Sequence, residues 1–364
     1  MQVISNINCV IPSGFNKLKD LAYLNLFEAG FVGQIPIEIS HMTSVTNADM
    51  FSFPYMEVLE MASCNLKTIP GFLKNCSSLV LLDLSDNQIQ GIVPNWIWKL
   101  DNLVELNISH NFLTGLEGPF KNLTGEMYND GLYGPPLTKN PDHKEQEVLA
   151  QQKCGRGPKL LLENPNLQKL VQNITSIRQL YLDGVDRTAP GHEWSNALSS
   201  LHDLQELSMP GCNLSGPLDP SLARLENLSV IVLDNNNLSS PMPETFSHFK
   251  NFTILSLNNC GLTGTFPHKI FYIGTLSVID ISWNNNLHGF LPEFPSSGSL
   301  YSLSVSHTNF SGAIPLSIGN MRNLPELDLS NCGFKGTIPN SLSNLTKLRP
   351  GFVIELLHTS NDII

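Results

Sequence analysis

The feature that most constrains this chain is a fixed step of 24 residues. Leu204, Leu228, Phe252, Leu276, Leu300, Leu324 and Leu348 are each 24 positions apart. The same string surrounds each anchor, as in "LSVIVLDNNNLSSPMP", "FTILSLNNCGLTGTFP", "LYSLSVSHTNFSGAIP" and "LPELDLSNCGFKGTIP". Their shared template is LxxLxLxxNxLxGxIP. Six units in register do not arise from composition.

Each template position has a physical role. Leu207 and Met209, or Leu327 and Leu329, are two apart and share one face of a short strand. Three residues on stand Asn236, Asn284 or Thr308, and elsewhere Cys212, Cys260 or Cys332. An Asn there can bond the backbone of the turn as the chain leaves the strand. A thiol is a weaker donor but is readily buried. Leu214, Leu238, Leu262, Leu287, Phe310 and Phe334 go inward again, glycines such as Gly264 permit a tight bend, and prolines such as Pro315 close the coil. One such unit cannot bury its apolar face alone, so units must stack. A period in the twenties with this pattern is a leucine-rich repeat. The expected fold is an α/β repeat: a right-handed leucine-rich repeat solenoid of 24-residue coils, with short parallel strands on the concave face and a 3-10 or irregular convex side.

The chain has 364 residues and a formal net charge of −11, and charged residues are only 15%. That balance argues against nucleic-acid binding, which uses basic clusters. No run reaches the length of a membrane span, so no transmembrane helix is expected in this chain. The start, "MQVISNINCVIPSGFNKL", lacks a basic stretch followed by a continuous apolar one, as a secretory signal would have. Of seven cysteines, Cys64, Cys212, Cys260 and Cys332 occupy the Asn position and are expected to be reduced and buried. The pairing of Cys9, Cys76 and Cys154 is open.

The organisation reads as four parts. Residues 1–123 carry a first set of repeats, including "LKDLAYLNLFEAGFVGQIP", a weak unit with Ala48 and Met50 as its strand pair, and two clean units with Asn87 and Asn111. Residues 124–158 are a polar insert rich in Gly, Pro and charge. Residues 159–348 carry about seven further repeats, of which the step from Ile177 to Leu204 is 27 residues long. Residues 349–364 are a non-repeat tail.

The "N-x-L-[ST]-G-x-[IFL]-P" coil resembles the plant-type leucine-rich repeat of receptor-like kinases and receptor-like proteins. "LLENPNLQKLVQNITSIRQLYLDGVD" and "ASCNLKTIPGFLKN" with "LLDLSDNQIQGIVPNWIWKL" resemble more narrowly the Verticillium wilt resistance group of receptor-like proteins. The likeness covers most of residues 12–123 and 158–348. The order departs from that group: residues 54–123 resemble late repeats, and "GEMYNDGLYGPPLTK" resembles its carboxy-terminal cap, yet early-type repeats follow. A rearranged or truncated ectodomain is the expectation. The resemblance implies an extracellular peptide or protein ligand, plasma-membrane or extracellular placement, a co-receptor kinase as signalling partner, and a role in pathogen defence.

No catalytic motif is present: no GxxxxGK[ST], GxGxxG, HRD, DFG, HExxH or GxSxG. No catalytic, metal or cofactor residues are assigned. The informative surface is the concave face, where residues between and just after the strand leucines point outward. The candidate ligand-binding residues are Asp234, Asn258, Asp280, Trp283, Ser304, His307, Glu326 and Asp328, with Trp283 as an exposed aromatic of the kind that anchors protein contacts. N-x-[ST] sequons supply glycosylation candidates at Asn75, Asn122, Asn173, Asn213, Asn227, Asn251, Asn309 and Asn344. Asn237 also begins a sequon, as does Asn107, whose glycan would stand on the concave strand. The reading is a non-enzymatic recognition module. The alternatives are a soluble apoplastic enzyme inhibitor resembling polygalacturonase-inhibiting proteins, or a non-functional gene fragment.

Overall fold

The computed structural model describes residues 20–26, 53–117, 171, 174–185, 191–296 and 298–349. The weak unit around Ala48 and Met50, the cap-like stretch 125–139, Cys9, Cys154, Asn122, Asn173 and the tail beyond residue 349 lie outside them.

The chain alternates three-residue strands with bends and single turns of 3-10 helix. Its first repeats give β1 (Tyr23–Asn25), β2 (Val58–Glu60), β3 (Leu81–Asp83), β4 (Gln90–Val93), β5 (Glu105–Asn107) and β6 (Phe112–Leu116). Then follow β7 (Gln179–Tyr181), β8 (Glu206–Ser208), β9 (Val230–Val232), β10 (Ile254–Ser256), β11 (Thr263–Thr265) and β12 (Val278–Asp280). The last are β13 (Asn286–Gly289), β14 (Ser302–Ser304), β15 (Asn309–Gly312), β16 (Glu326–Asp328) and β17 (Gly333–Phe334). Eleven of these form one parallel sheet in the order β1-β2-β3-β5-β7-β8-β9-β10-β12-β14-β16. This is the concave sheet of a leucine-rich repeat solenoid.

The register is that of the template. Leu255 of β10 faces Ile231 of β9 on one side and Ile279 of β12 on the other. These central residues, with Leu207, Leu303 and Leu327, are buried. The repeats on either side of residues 118–170 belong to the same sheet, because β5 pairs directly with β7 in the register Glu105↔Gln179. β1 likewise pairs directly with β2.

The Asn position works as a stitch between coils. Asn284 is 1% exposed. Its Nδ2 donates to Leu257 O (2.9 Å), Ile281 O (2.9 Å) and Ser282 O (3.1 Å), and its Oδ1 accepts from Cys260 N (3.1 Å) and Leu262 N (2.8 Å). Asn87 makes the same set one coil over from Cys64 and Leu66. Where cysteine replaces Asn, the thiol keeps one leg: Cys212 Sγ donates to Leu182 O (3.0 Å) and Cys260 Sγ to Leu233 O (3.1 Å). Cys64, Cys76 and Cys260 are buried free thiols. Burial pushes Cys64 and Cys76 up to about 11 and Cys260 to about 12.

Two features go beyond the sequence reading. After the Asn turn the coils form a second parallel ladder on the flank, β11-β13-β15-β17, and a two-stranded one, β4-β6. The 27-residue step contains an α-helix, α1 (Gly191–Leu198), where the other coils spend a single 3-10 turn. Trp194 is fully buried from that helix. The convex turns also bury aromatics: Phe249 meets Phe246 edge-on and Phe252 at a tilt, with ring centroids 5.4 and 5.0 Å apart.

Candidate functional site

In every coil of the concave sheet two strand residues point out, and two more follow at the strand exit. Parallel pairing in strict register turns these positions into four columns that cross the strands. The second column runs Asp280, Ser304, Asp328 at the carboxy-terminal end. The fourth runs Asn235, Asn259, Trp283, His307, Asn331.

The fourth column has an unusual backbone. Asn235, Asn259, Trp283, His307 and Asn331 all have φ between 51° and 59°. Left-handed backbone suits Gly and Asn, which is why Gly184 and Gly211 hold the same place in two other coils. A tryptophan there is a conformational outlier. It is held by the neighbouring coil: Trp283 N donates to Ser306 O (2.9 Å) and His307 N to Ser330 O (3.0 Å). Trp283 is 54% exposed. Its indole lies flat on the His307 imidazole, with centroids 3.7 Å apart and planes at 14°. Asn331 Nδ2 donates to His307 Nε2 (3.0 Å), and Asn259 Nδ2 donates to Asn235 Oδ1 (3.1 Å). The column is therefore an amide ladder interrupted by one stacked aromatic pair.

Beside it, the carboxylates are pre-oriented. Asp328 Oδ1 accepts from Ser330 N (3.0 Å) and Ser330 Oγ (2.7 Å). Asp280 Oδ1 accepts from the same two groups of Ser282. In both, Oδ2 stays outside these bonds. Ser304 stands between them, its Oγ 3.4 Å from Ser306 Oγ.

The other expected residues are engaged differently. Both oxygens of Asp234 accept from Ser256 Oγ (2.8 and 2.9 Å), and Oδ1 also accepts from Asn258 N (2.8 Å). Burial raises the pKa of Asp234 even so. Asn258 Nδ2 donates onward to Ser282 Oγ (2.5 Å). These two residues thus belong to a polar relay that ties β9 to β12. Glu326 is ion-paired with Arg349 at 3.0 Å, whose other nitrogen reaches Tyr301 Oη (3.1 Å).

Tertiary structure adds an acidic field that the residue-by-residue reading did not assemble. Because β5 pairs with β7, Glu105, Gln179 and Glu206 become consecutive members of the first column. Tyr181 Oη and Gln179 Nε2 both donate to Glu206. Burial raises the pKa of Glu105, and the charges of Asp83, Glu206 and Glu60 raise it further. Asp183 is raised mainly by burial, with His110 Nε2 3.8 Å away opposing. Glu60, Asp83, Asp86, Glu105, Asp183 and Glu206 thus share one half of the face. Asp234, Asp280, Glu326 and Asp328 lie on the other. Among the described residues, the four columns hold neither a lysine nor an arginine. The signal for this field was present as one outward acidic residue in each of "LVELNIS" (Glu105) and "LQELSM" (Glu206), but their adjacency is not visible along the chain.

Of the sequons, Asn213, Asn227, Asn237, Asn251, Asn309 and Asn344 are exposed and Asn75 is half-buried. Asn107 lies on β5, half-buried, its Oδ1 accepting from Ser109 N (3.2 Å) and Ser109 Oγ (2.7 Å). Among the described residues, no group of three or more His, Cys, Asp or Glu is placed to hold a metal.

A stacked array of such coils around one ladder of Asn and Leu is a leucine-rich repeat solenoid, and that is the fold of this chain. Leucine-rich repeat family models match residues 51–113 and, separately, 227–249, 299–321 and 323–345. Its sequence kin are plant receptor-like proteins. It is 33% identical over 174 residues to Receptor-like protein 47 of Arabidopsis thaliana, covering 46% of this chain and 20% of that protein. It is 45% identical over 129 residues to Receptor-like protein 7 of the same plant, covering 34% and 12%. The chain spans a fifth or less of the length of these curated relatives. In fold it is similar to the plant peptide hormone receptor RGFR1 in complex with RGF2, with a TM-score of 0.61 and 22% identity over 93% of this chain and 48% of that one. A Leptospira interrogans leucine-rich repeat protein, LIC12759, gives a TM-score of 0.52 at 20% identity, covering 93% of this chain and 80% of that one.

Proposed function

We propose that the chain is a non-enzymatic recognition module that binds an extracellular peptide or protein ligand on its concave face, as part of a plant receptor-like protein acting in pathogen defence. The observation that carries this reading is the Trp283–His307 stack, held half-exposed on left-handed backbone amid pre-oriented carboxylates. Such backbone is unfavourable for a bulky side chain and persists where the surroundings over-determine it, as at binding sites. A half-exposed Trp in a polar rim is the composition of an interface anchor. Kinship with receptor-like proteins, and the peptide complex of the structural neighbour RGFR1, support a peptide as the ligand class. A cell-surface setting, a co-receptor kinase as partner and glycans on the exposed sequons belong to the same proposal. Among the described residues, no helix is long and apolar enough to cross a membrane.

A glycan wedge tests this. Ser304→Asn places the acceptor sequence Asn-Val-Ser on β14, in the middle of the candidate site. The secreted wild type and the variant are each used to capture peptides from apoplastic wash fluid of infected leaves, and the eluted peptides are sequenced. A defined peptide captured by the wild type and lost from the glycosylated variant is the expected result. Capture that persists with the glycan verified by mass spectrometry overturns the concave-face assignment.

A further inference from the structure

We propose that the ligand is a short basic peptide with two cationic ends and an apolar centre, lying across the strands of the concave sheet. This rests on the recognition reading above and specifies the chemistry it recognises. The sheet face is unpartnered, and its charge is one-sided: the outward columns hold carboxylates and no lysine or arginine among the described residues. The carboxylates are not spread evenly. One group, around Glu105, Asp183 and Glu206, spans β3 to β8, and a second, Asp280 and Asp328, flanks Ser304. Between them the first column is apolar: Val230, Ile254 and Val278 on β9, β10 and β12.

The spacing sets the ligand length. Neighbouring strands lie about 4.8 Å apart, so the five steps from Glu105 on β5 to Asp280 on β12 span about 24 Å. An extended peptide rises about 3.3 Å per residue, so its two basic ends are about seven residues apart. At the second end the partner is better defined than charge alone. A guanidinium over the face of Trp283 turned away from His307 gains cation–π attraction with the Oδ2 of Asp280 as its counter-ion, and a second arginine pairs with the Oδ2 of Asp328, two strands or about 10 Å further on. In the centre, valine-like side chains meet the half-buried strip of Val230, Ile254 and Val278.

The probe is a synthetic peptide of about ten residues with two arginines at each end and a valine-rich centre, the length following from the spacing above. A second peptide has the same composition with all four arginines contiguous. Binding is read by calorimetry and by the emission of the exposed tryptophan. The bipartite peptide is expected to bind about tenfold more tightly than the contiguous one. Trp283→Asn places in this coil the residue found at Asn235, Asn259 and Asn331, so the fold is kept; it is expected to weaken binding about tenfold. The pair Asp280→Asn with Asp328→Asn is expected to do the same. The pair Asp203→Asn with Glu226→Gln removes equal charge from exposed positions off the sheet and is expected to leave binding unchanged. If both peptides bind alike, or the off-sheet pair weakens binding as much as the on-sheet pair, the attraction is only that of a chain with net charge −11, and the proposal falls. If the Ser304→Asn glycan displaces an endogenous ligand but neither synthetic peptide binds, concave-face recognition stands and the basic-peptide assignment falls. Peptide binding that the glycan does not displace overturns both.

Discussion

Removing one stitch should loosen two coils by a calculable amount. Asn284→Ala deletes an amide that is 1% exposed and makes five hydrogen bonds. The backbone N–H groups of Cys260 and Leu262 lose their acceptor, and both lie against the buried core. A buried donor left unsatisfied costs about 1–3 kcal/mol, so two cost about 2–6 kcal/mol, with the low end reached if a water enters the space left by the amide. Asn284→Cys is the informative control. Cysteine holds this position in other coils and donates to the preceding coil, as Cys260 does to Leu233 O at 3.1 Å. In that arrangement Leu238 N–H turns instead to the Cys260 carbonyl (3.0 Å), so the backbone reroutes one of its bonds. The Cys variant is therefore expected to lose about half as much as the Ala variant, on the order of 1–3 kcal/mol. Urea unfolding followed by circular dichroism gives the stability change. Native-state hydrogen exchange at Cys260 and Leu262 localises it, because coils couple chiefly to their neighbours. If Asn284→Ala stays within about 1 kcal/mol of wild type and both amides remain protected, the stitch argument is wrong. The same holds if the Cys variant falls as far as the Ala variant.

Three further outcomes follow from particular residues. Gly289→Ala would place a Cβ 2.4–2.7 Å from the ring of Phe310, which is fully buried, so a loss of about 1–3 kcal/mol is expected in the same urea titration. Glu105→Gln should raise the melting temperature at neutral pH, because burial and the charges of Asp83, Glu206 and Glu60 hold the native carboxyl pKa above its ordinary value. That native carboxyl binds its proton more readily than the unfolded one, so the wild-type penalty is full at neutral pH and fades as pH falls through the raised pKa. Melting curves across that range should converge on acidification; a constant gap would point to a cause other than charge. Cys64, Cys76 and Cys260, buried and shifted well up, should resist iodoacetamide in the folded protein at about pH 8 and react once guanidinium unfolds it. Prompt labelling of the folded chain would show that these coils open.

Kinship and chemistry bear on different parts of the site. The repeats related to Receptor-like proteins 47 and 7 explain why the Asn ladder, the Leu core and the closing prolines are where they are. They do not explain Trp283 and His307. Asn would fill the fourth column with less backbone strain, as it does in three neighbouring coils. Glu105 and Asp183 likewise oppose folding, since burial raises their pKa values and makes their charge unfavourable. Both features are costs that a ligand of opposite charge would offset.

The sequence by itself determined the coil. A strict step of 24 residues fixes which residues point inward, because strand alternation and the Asn turn repeat without slippage. Leu207, Leu255 and Leu327 are therefore buried, and Trp283 and Asp328 face out, as their spacing alone required. The exposure of most described sequons and the burial of the Cys64, Cys212 and Cys260 thiols were legible for the same reason, whereas Cys332, also expected to be buried, is only half-buried in the last described coil. Tertiary structure alone decided what stands beside what. The pairing of β5 with β7 joins coils that are separated by more than 70 positions in sequence, and that union gathers Glu105, Gln179 and Glu206 into one column. The flank ladder depends on contacts between coils rather than within them. The stack of Trp283 on His307, and the loss of Asp234 to an internal relay, depend on side-chain geometry across strands, which a one-dimensional period does not encode.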